Sequence, residues 1–228
     1  QYRLIVSNNC PSTTTSSTVT LTVSQPASIV TQPSSQEGCE NTPVSFVVVA
    51  DGTGNTYQWQ VSNDGGITFT NIAGATTNSL DLTSINSTMS GNLYRVVISS
   101  CNPTPIVSAN ASLLVNSPAN ILTQPASTTV CPSGNAVFTA QVTGTTLSYQ
   151  WQESTNGGNT FTNISGANAV TLTLPNVTSG MSNNQYRIIV TSTACPATVT
   201  STPATLLVSG ETNITAQPVQ AAACPGSD

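Results

Sequence analysis

The stretch "SYQWQESTNGGNTFTNI", Ser148–Ile164, places Tyr149 and Trp151 on one side of an extended chain and Gln150 and Gln152 on the other. A period of two is that of a half-buried β-strand. The Asn-Gly-Gly that follows supplies the positive φ values a tight hairpin needs. Ninety-two residues earlier (151 − 59 = 92) the same pattern reads "TYQWQVSNDGGITFTNI", Thr56–Ile72. The stretch is therefore one part of a larger repeat.

The rest of the chain keeps that period. "IVTQP" at Ile29, "ILTQP" at Ile121 and "ITAQP" at Ile214 are separated by 121 − 29 = 92 and 214 − 121 = 93 residues. Tyr2, Tyr94 and Tyr186 lie 92 apart, each followed by Arg. Cys39, Cys131 and Cys224 recur at 92 and 93, and Cys10, Cys101 and Cys195 at 91 and 94. This divides the chain into two complete repeats, 27–117 and 118–210. Residues 1–26 read as the last two strands of a preceding repeat, and 211–228 as the first-strand region of a following one. Within a repeat, "NAVFTAQV", "VTLTLPNV", "QYRIIVTS" and "ATLLVS" alternate or run apolar between turn signals, and no 3.6-residue period is sustained. Seven or so short antiparallel strands in about 92 residues, one with a central Trp, predict an all-β fold. It consists of tandem immunoglobulin-like β-sandwiches in an elongated array, with Trp59, Trp151, Tyr94 and Tyr186 in the cores.

Composition removes several functions. Charged residues make up 5% of the chain, lysine and histidine are absent, and the net charge is −5. No basic patch is available to neutralise phosphates, which argues against nucleic acid as a partner. No apolar run approaches the ~20 residues of a membrane helix, so membrane insertion is not expected. Six cysteines without histidine and without a C-x-x-C pair exclude a zinc pattern and favour disulfides in an oxidising, extracellular setting. Acids are few. Glu37 and Glu40 are close in sequence, but their counterparts one repeat later are Thr129 and Pro132. No catalytic residue, metal site or cofactor is expected, and the chain reads as a non-enzyme.

These residues also carry a family resemblance. "YQW" at Tyr57–Trp59 and Tyr149–Trp151 resembles strand C of an immunoglobulin domain. "SGNLYRV" and "SNNQYRI" resemble the turn into strand F, where a tyrosine corner would hold Tyr94 and Tyr186. The whole unit is similar to the tandem Ig-like repeats of very large secreted surface proteins of Bacteroidota. That resemblance implies bacterial cell-surface display. One departure is that the places of the antibody-type inter-sheet disulfide hold Val48 with Val96 and Ala140 with Ile188.

"SNDGGITF" also resembles the Asp-box of sialidase-type β-propellers. A propeller would show several boxes at about 40–50-residue spacing, and here two lie 92 apart. Asp64 becomes Asn156 in the second copy, so the motif reads as a hairpin turn built on Asp64, Gly65 and Gly66, and on Asn156, Gly157 and Gly158. Phe69 is expected to return to the core.

The topology places Cys39, Cys131 and Cys224 near the bottom of a domain, and Cys10, Cys101 and Cys195 near the top. In a tandem array the bottom of one domain meets the top of the next. The favoured pair is thus inter-domain, Cys39 with Cys195, and the alternative is Cys39 with Cys101 and Cys131 with Cys195. In the favoured scheme Cys10, Cys101, Cys131 and Cys224 pair with domains outside this sequence.

Together these features lead to a structural expectation: a disulfide-stiffened shaft segment of an extracellular adhesin or filament on the cell surface. Its partners would be neighbouring repeats of its own chain, with lateral or end-to-end self-association left open. The alternatives are a spacer in a secreted multidomain hydrolase and an Ig-like module that binds glycan or protein.

Overall fold

The computed structural model describes residues 1–10, 12–101, 103–210 and 216. The region expected to begin a following repeat, with Cys224, lies outside the described residues apart from Ala216. Two compact units emerge, Gln1–Asn116 and Ser117–Asp228.

The first unit opens with β1 (Ile5–Ser7) and β2 (Thr13–Thr15), an antiparallel hairpin. A complete repeat follows as β3 (Ser28–Thr31), β4 (Gln36–Cys39), β5 (Val44–Val47), β6 (Val49–Asp51) and β7 (Thr56–Ser62). It continues through β8 (Thr70–Asn71), β9 (Ser79–Leu82), β10 (Leu93–Ser99), β11 (Ile106–Val107) and β12 (Ala111–Asn116). One layer runs β4-β12-β10-β7-β8, with β11 also on β10; β4 lies parallel to β12 and the other pairs are antiparallel. The facing layer is built from the antiparallel pairs β3–β6 and β5–β9.

The second unit repeats this order. Its strands are β13 (Asn120–Thr123), β14 (Thr128–Val130), β15 (Ala136–Thr139), β16 (Gln141–Thr143) and β17 (Leu147–Ser154). Then come β18 (Thr162–Asn163), β19 (Thr171–Leu174), β20 (Gln185–Ser192), β21 (Ala197–Thr200) and β22 (Ala204–Val208). The sheet order β14-β22-β20-β17-β18 matches the first unit strand for strand.

Alternation along the central strands makes each core. On β10, Tyr94, Val96 and Ile98 are buried while Arg95 and Val97 face outward, so each inward side chain meets the opposite layer. Trp59 and Trp151 are fully buried, and their indole nitrogens donate to the carbonyls of Thr77 at 3.0 Å and Ala169 at 2.9 Å. Phe46 packs between Trp59 and Tyr94 with ring centroids at 6.3 and 4.7 Å; Phe138 does the same at 6.3 and 4.9 Å. Val48 and Val96, like Ala140 and Ile188, are buried where an inter-sheet disulfide would otherwise run. Apolar burial thus holds the layers together at that point.

The β1–β2 hairpin, with the chain on either side of it, is the exception. Tyr2, Leu4, Val6, Val19, Leu21 and Val23 are 56–78% exposed. Their counterparts 92 residues on, Tyr94, Val96, Ile98, Ala111, Leu113 and Val115, are at most 5% exposed. The hairpin carries one face of a core without the layer that covers it.

Candidate functional site

Four features could carry function: the turns after β7 and β17, the outward face beside them, the tyrosines, and the cysteines.

The turns are closed polar frames. Ser62 Oγ donates to Asp64 Oδ1 at 2.6 Å and accepts from Gly66 N at 2.8 Å. Thr68 donates from its amide to both Asp64 oxygens at 3.0 Å, and from its hydroxyl to Oδ2 at 2.6 Å. Gly65 and Gly66 have φ of 74° and 93°, a region that side chains strain to enter. The Ser62 hydroxyl, then the Thr68 hydroxyl and amide, hold the Asp64 carboxyl well below the usual carboxylate range. In the second unit Ser154 donates to Asn156 Oδ1 at 2.9 Å, and Thr160 N donates to the same oxygen at 3.0 Å. There Asn156 Nδ2 donates to Thr160 Oγ1 at 2.7 Å, so one bond reverses direction and the frame survives without charge. A group that binds its own turn with every oxygen is not poised for acid–base chemistry.

Glu37 and Glu40 likewise hold local structure. Glu37 accepts from Asn116 Nδ2 at 2.6 Å, and Glu40 accepts from the amide of Ser87 at 3.1 Å.

Phe69 does not enter the core. It lies on the outer side of the sheet, where the Arg95 guanidinium carbon sits 3.7 Å from its ring centroid; Phe161 and Arg187 repeat this at 3.9 Å. The turn returns Phe69 opposite the outward positions of β10, and the cation over its ring offsets the lost burial. Arg95 Nε donates to Gln60 Oε1 at 2.8 Å, and Gln60 Nε2 donates to Asn71 Oδ1 at 2.9 Å. In the second unit Arg187, Gln152 and Asn163 form the same ladder, both bonds at 2.8 Å.

Tyr94 and Tyr186 occupy the same core position with different partners. The Tyr186 hydroxyl donates to Glu153 Oε1 at 2.7 Å, and Asn184 Nδ2 donates to that oxygen at 2.9 Å. Burial, then the Glu153 carboxylate, raise Tyr186 well above its ordinary ionisation range. Tyr94 faces Val61 in the same register and is raised by burial, opposed by Asn92. The hydroxyl of Tyr186 therefore binds a side chain across the sheet, a contact that the tyrosine-corner resemblance did not anticipate.

Cys39 and Cys195 each lie in a disulfide, whereas Cys10, Cys101 and Cys131 are exposed free thiols. Neither in-repeat pair, Cys39 with Cys101 or Cys131 with Cys195, is formed. Cys39 ends β4 beside Asn116, while Cys101 lies past the far end of β10. The seven residues of β10 separate those poles by about 20 Å, too far for a bond that needs Cα atoms within about 7 Å. Cys195 is buried in the turn between β20 and β21, its amide donating to Ser192 Oγ at 3.2 Å. Ser192 Oγ donates to the Thr145 carbonyl at 2.7 Å, and the Thr145 amide donates to the Ser117 carbonyl at 3.0 Å.

Among the described residues no helix is long and apolar enough to cross a membrane. Fold and site define a tandem array of immunoglobulin-like β-sandwiches. The chain belongs to the family described as Domain of unknown function (DUF8696), matched over residues 29–117 and again over 121–210. No curated protein matches it. Among solved structures it is similar to DIP-gamma IG1+IG2, at 15% identity and a TM-score of 0.59, covering 82% of this chain and 99% of that one. It is also similar to the titin I-band fragment I67–I69, at 16% identity and 0.59, covering 80% and 65%. The extracellular domains 3–5 of Drosophila OTK align at 17% identity and 0.51, covering 91% and 70%. At such identities the likeness is one of fold.

Proposed function

We propose that this chain is a structural segment of a long extracellular cell-surface protein, the shaft of an adhesin or filament, stiffened by disulfides. The observation that carries this reading is the sameness of the two repeats. They agree in strand order, core aromatics, turn frame and Arg–Phe pair, so neither offers a loop of its own for reading a ligand. An array whose units contact only their neighbours builds length rather than a pocket. The uncovered apolar face of the β1–β2 hairpin supports a further unit on that side. Bacterial display of the Bacteroidota type belongs to the same reading, as does a non-enzymatic role.

The stiffening element in this proposal is a Cys39–Cys195 bond across the junction. What supports it is that Cys39 lies beside Asn116, and Cys195 lies in a hydrogen-bonded chain leading to Ser117, the next residue. By the repeat, Cys101 and Cys10 would pair with bottom cysteines of earlier units. Cys131 and Cys224 would pair with top cysteines of later ones.

Tryptic mapping of the alkylated, denatured and unreduced chain tests the pairing. Cleavage at Arg3, Arg95 and Arg187 separates residues 4–95, 96–187 and 188–228. A species joining 4–95 to 188–228, and released by reductant, is expected. Links from 96–187 to either neighbour would instead establish the in-repeat pairs. The shaft reading is tested separately by the mass of the native polypeptide on a reducing denaturing gel. One band far longer than 228 residues is expected. A native chain of this length, or one carrying a hydrolase domain, would overturn it.

A further inference from the structure

The outward Arg–Phe–Gln–Asn constellation is needed by neither the core nor the turn frame, yet it is built twice. Its hydrogen bonds have a direction. Gln60 Oε1 accepts from Arg95, and Asn71 Oδ1 accepts from Gln60, so both side-chain oxygens already serve the ladder. The nitrogens left over, the two terminal guanidinium nitrogens and Asn71 Nδ2, are all donors. The side chains of Arg95 and Arg187 make no other hydrogen bond or ion pair among the described residues. Each guanidinium is held from below by a ring and from one edge by an amide, which leaves its two-nitrogen fork unopposed. That fork matches one carboxylate in a bidentate bond, and holding it in advance lowers the entropy lost on binding.

We propose that this constellation is a carboxylate-binding site for an acidic polysaccharide, one site per repeat, with Arg95 and Arg187 as anchors. The ligand must supply carboxylates at intervals that suit the repeat. A second copy of this chain does not. None of its eight acids recurs at the repeat period: the partners of Glu37, Asp51, Asp64 and Asp81 are Thr129, Thr143, Asn156 and Thr173, and Glu153 answers to Val61. An acidic peptide would gain its affinity from apolar anchors. The apolar neighbours of the site are not kept, since Leu93 becomes Gln185 and Val107 is replaced in register by Thr200. What both units keep is guanidinium and amide on an otherwise uncharged strip, which suits uronate carboxylates and the hydroxyls beside them. A lone cation per site releases few counterions and holds a single sugar weakly; binding to a long polymer therefore rests on several sites engaging at once. The inference stands apart from the shaft reading, since a spacer or a shaft could carry it equally.

Native gel retardation of the 228-residue chain in polygalacturonate is the test, with fully methyl-esterified polymer and poly-glutamate as the other arms. Retardation is expected in polygalacturonate alone, weakening as salt rises. Arg95→Gln or Arg187→Gln should each weaken it by about tenfold or more, as the second contact of the pair is lost, and the double variant should abolish it. Arg95→Lys with Arg187→Lys keeps the charge but not the fork. It should also bind weakly, and it decides the matter if circular dichroism shows that the Gln pair does not fold. Unretarded wild type, wild-type binding by the Lys pair, or equal retardation by the esterified polymer would overturn the proposal. Equal or stronger retardation by poly-glutamate would overturn the polysaccharide and assign the site to acidic peptides.

Discussion

Of the differences between the two complete repeats along the same strand and turn, two change a charge: Asp64 answers to Asn156, and Val61 to Glu153. The first difference removes a charge from the turn, and the second adds one beside the core tyrosine. Neither changes the strand order or the aromatic packing. A Ser–Gly–Thr frame, not a carboxylate, thus specifies the hairpin, because an amide oxygen accepts the same Ser hydroxyl and Thr amide. Glu153 shows the converse. A carboxylate is tolerated at a β17 position that pairs directly with Tyr186 because two donors, Tyr186 Oη and Asn184 Nδ2, meet it.

The strongest way to break the equivalence is to remove the shared core. Trp59→Ala and Trp151→Ala each delete a fully buried indole and its bond to a carbonyl. Each should cost about 3–5 kcal/mol, enough to unfold its own repeat in mild urea. Amide hydrogen exchange resolved by repeat checks this, with equal losses expected from the two variants. Unequal losses would mean that the matching cores are not equally loaded.

The tyrosine pair should respond unequally. Tyr186→Phe leaves the Glu153 carboxylate with Asn184 alone, a loss of about 1–3 kcal/mol for a bond to a charged group. Tyr94→Phe breaks no carboxylate bond and should cost less than about 1 kcal/mol. Urea denaturation compares them. Adding Glu153→Val to Tyr186→Phe should bring the second repeat back toward the first, and a strictly additive double variant would sink this account.

Much of this architecture is legible in the sequence, for identifiable reasons. A 92-residue period that carries Trp, Tyr-Arg and two cysteines fixes the repeat, and strict alternation around Trp151 fixes the strand and its buried side. What escaped depends on register across strands. Phe69 reads as a core residue by hydrophobicity, but the turn returns it on the outer side, under Arg95. A signal was available: Arg follows Tyr in all three copies, and no acid recurs to pair with it. An arginine repeated without a counter-charge points to another partner, here a ring and an amide. The Glu153–Tyr186 contact could be suspected only from the replacement of Val61 by an acid inside a strand. The pairing Tyr186 with Glu153 is what makes it concrete.

The smallest expected effect separates the two turns by pH. Asp64 ionises below its ordinary value because Ser62 and Thr68 donate to the carboxylate. Its folded-state preference for the charged form therefore contributes stability that is fully present above the unfolded-state pKa of about 3.9 and fades as pH falls toward the lower folded value. Asn156 has no such dependence. Hydrogen exchange at Gly66 and Thr68, amides that donate into the first frame, should accelerate relative to Gly158 and Thr160 as the buffer is taken from pH 4.5 to about 2.5, after correction for intrinsic exchange. Asp64→Asn should abolish that difference and leave the turn intact at neutral pH, since the second repeat already folds with the amide. Asn156→Asp should transfer the acid sensitivity to the second turn. If Asp64→Asn instead opens the turn at pH 7, the carboxylate is more than an acceptor there, and the equivalence of the two hairpins fails.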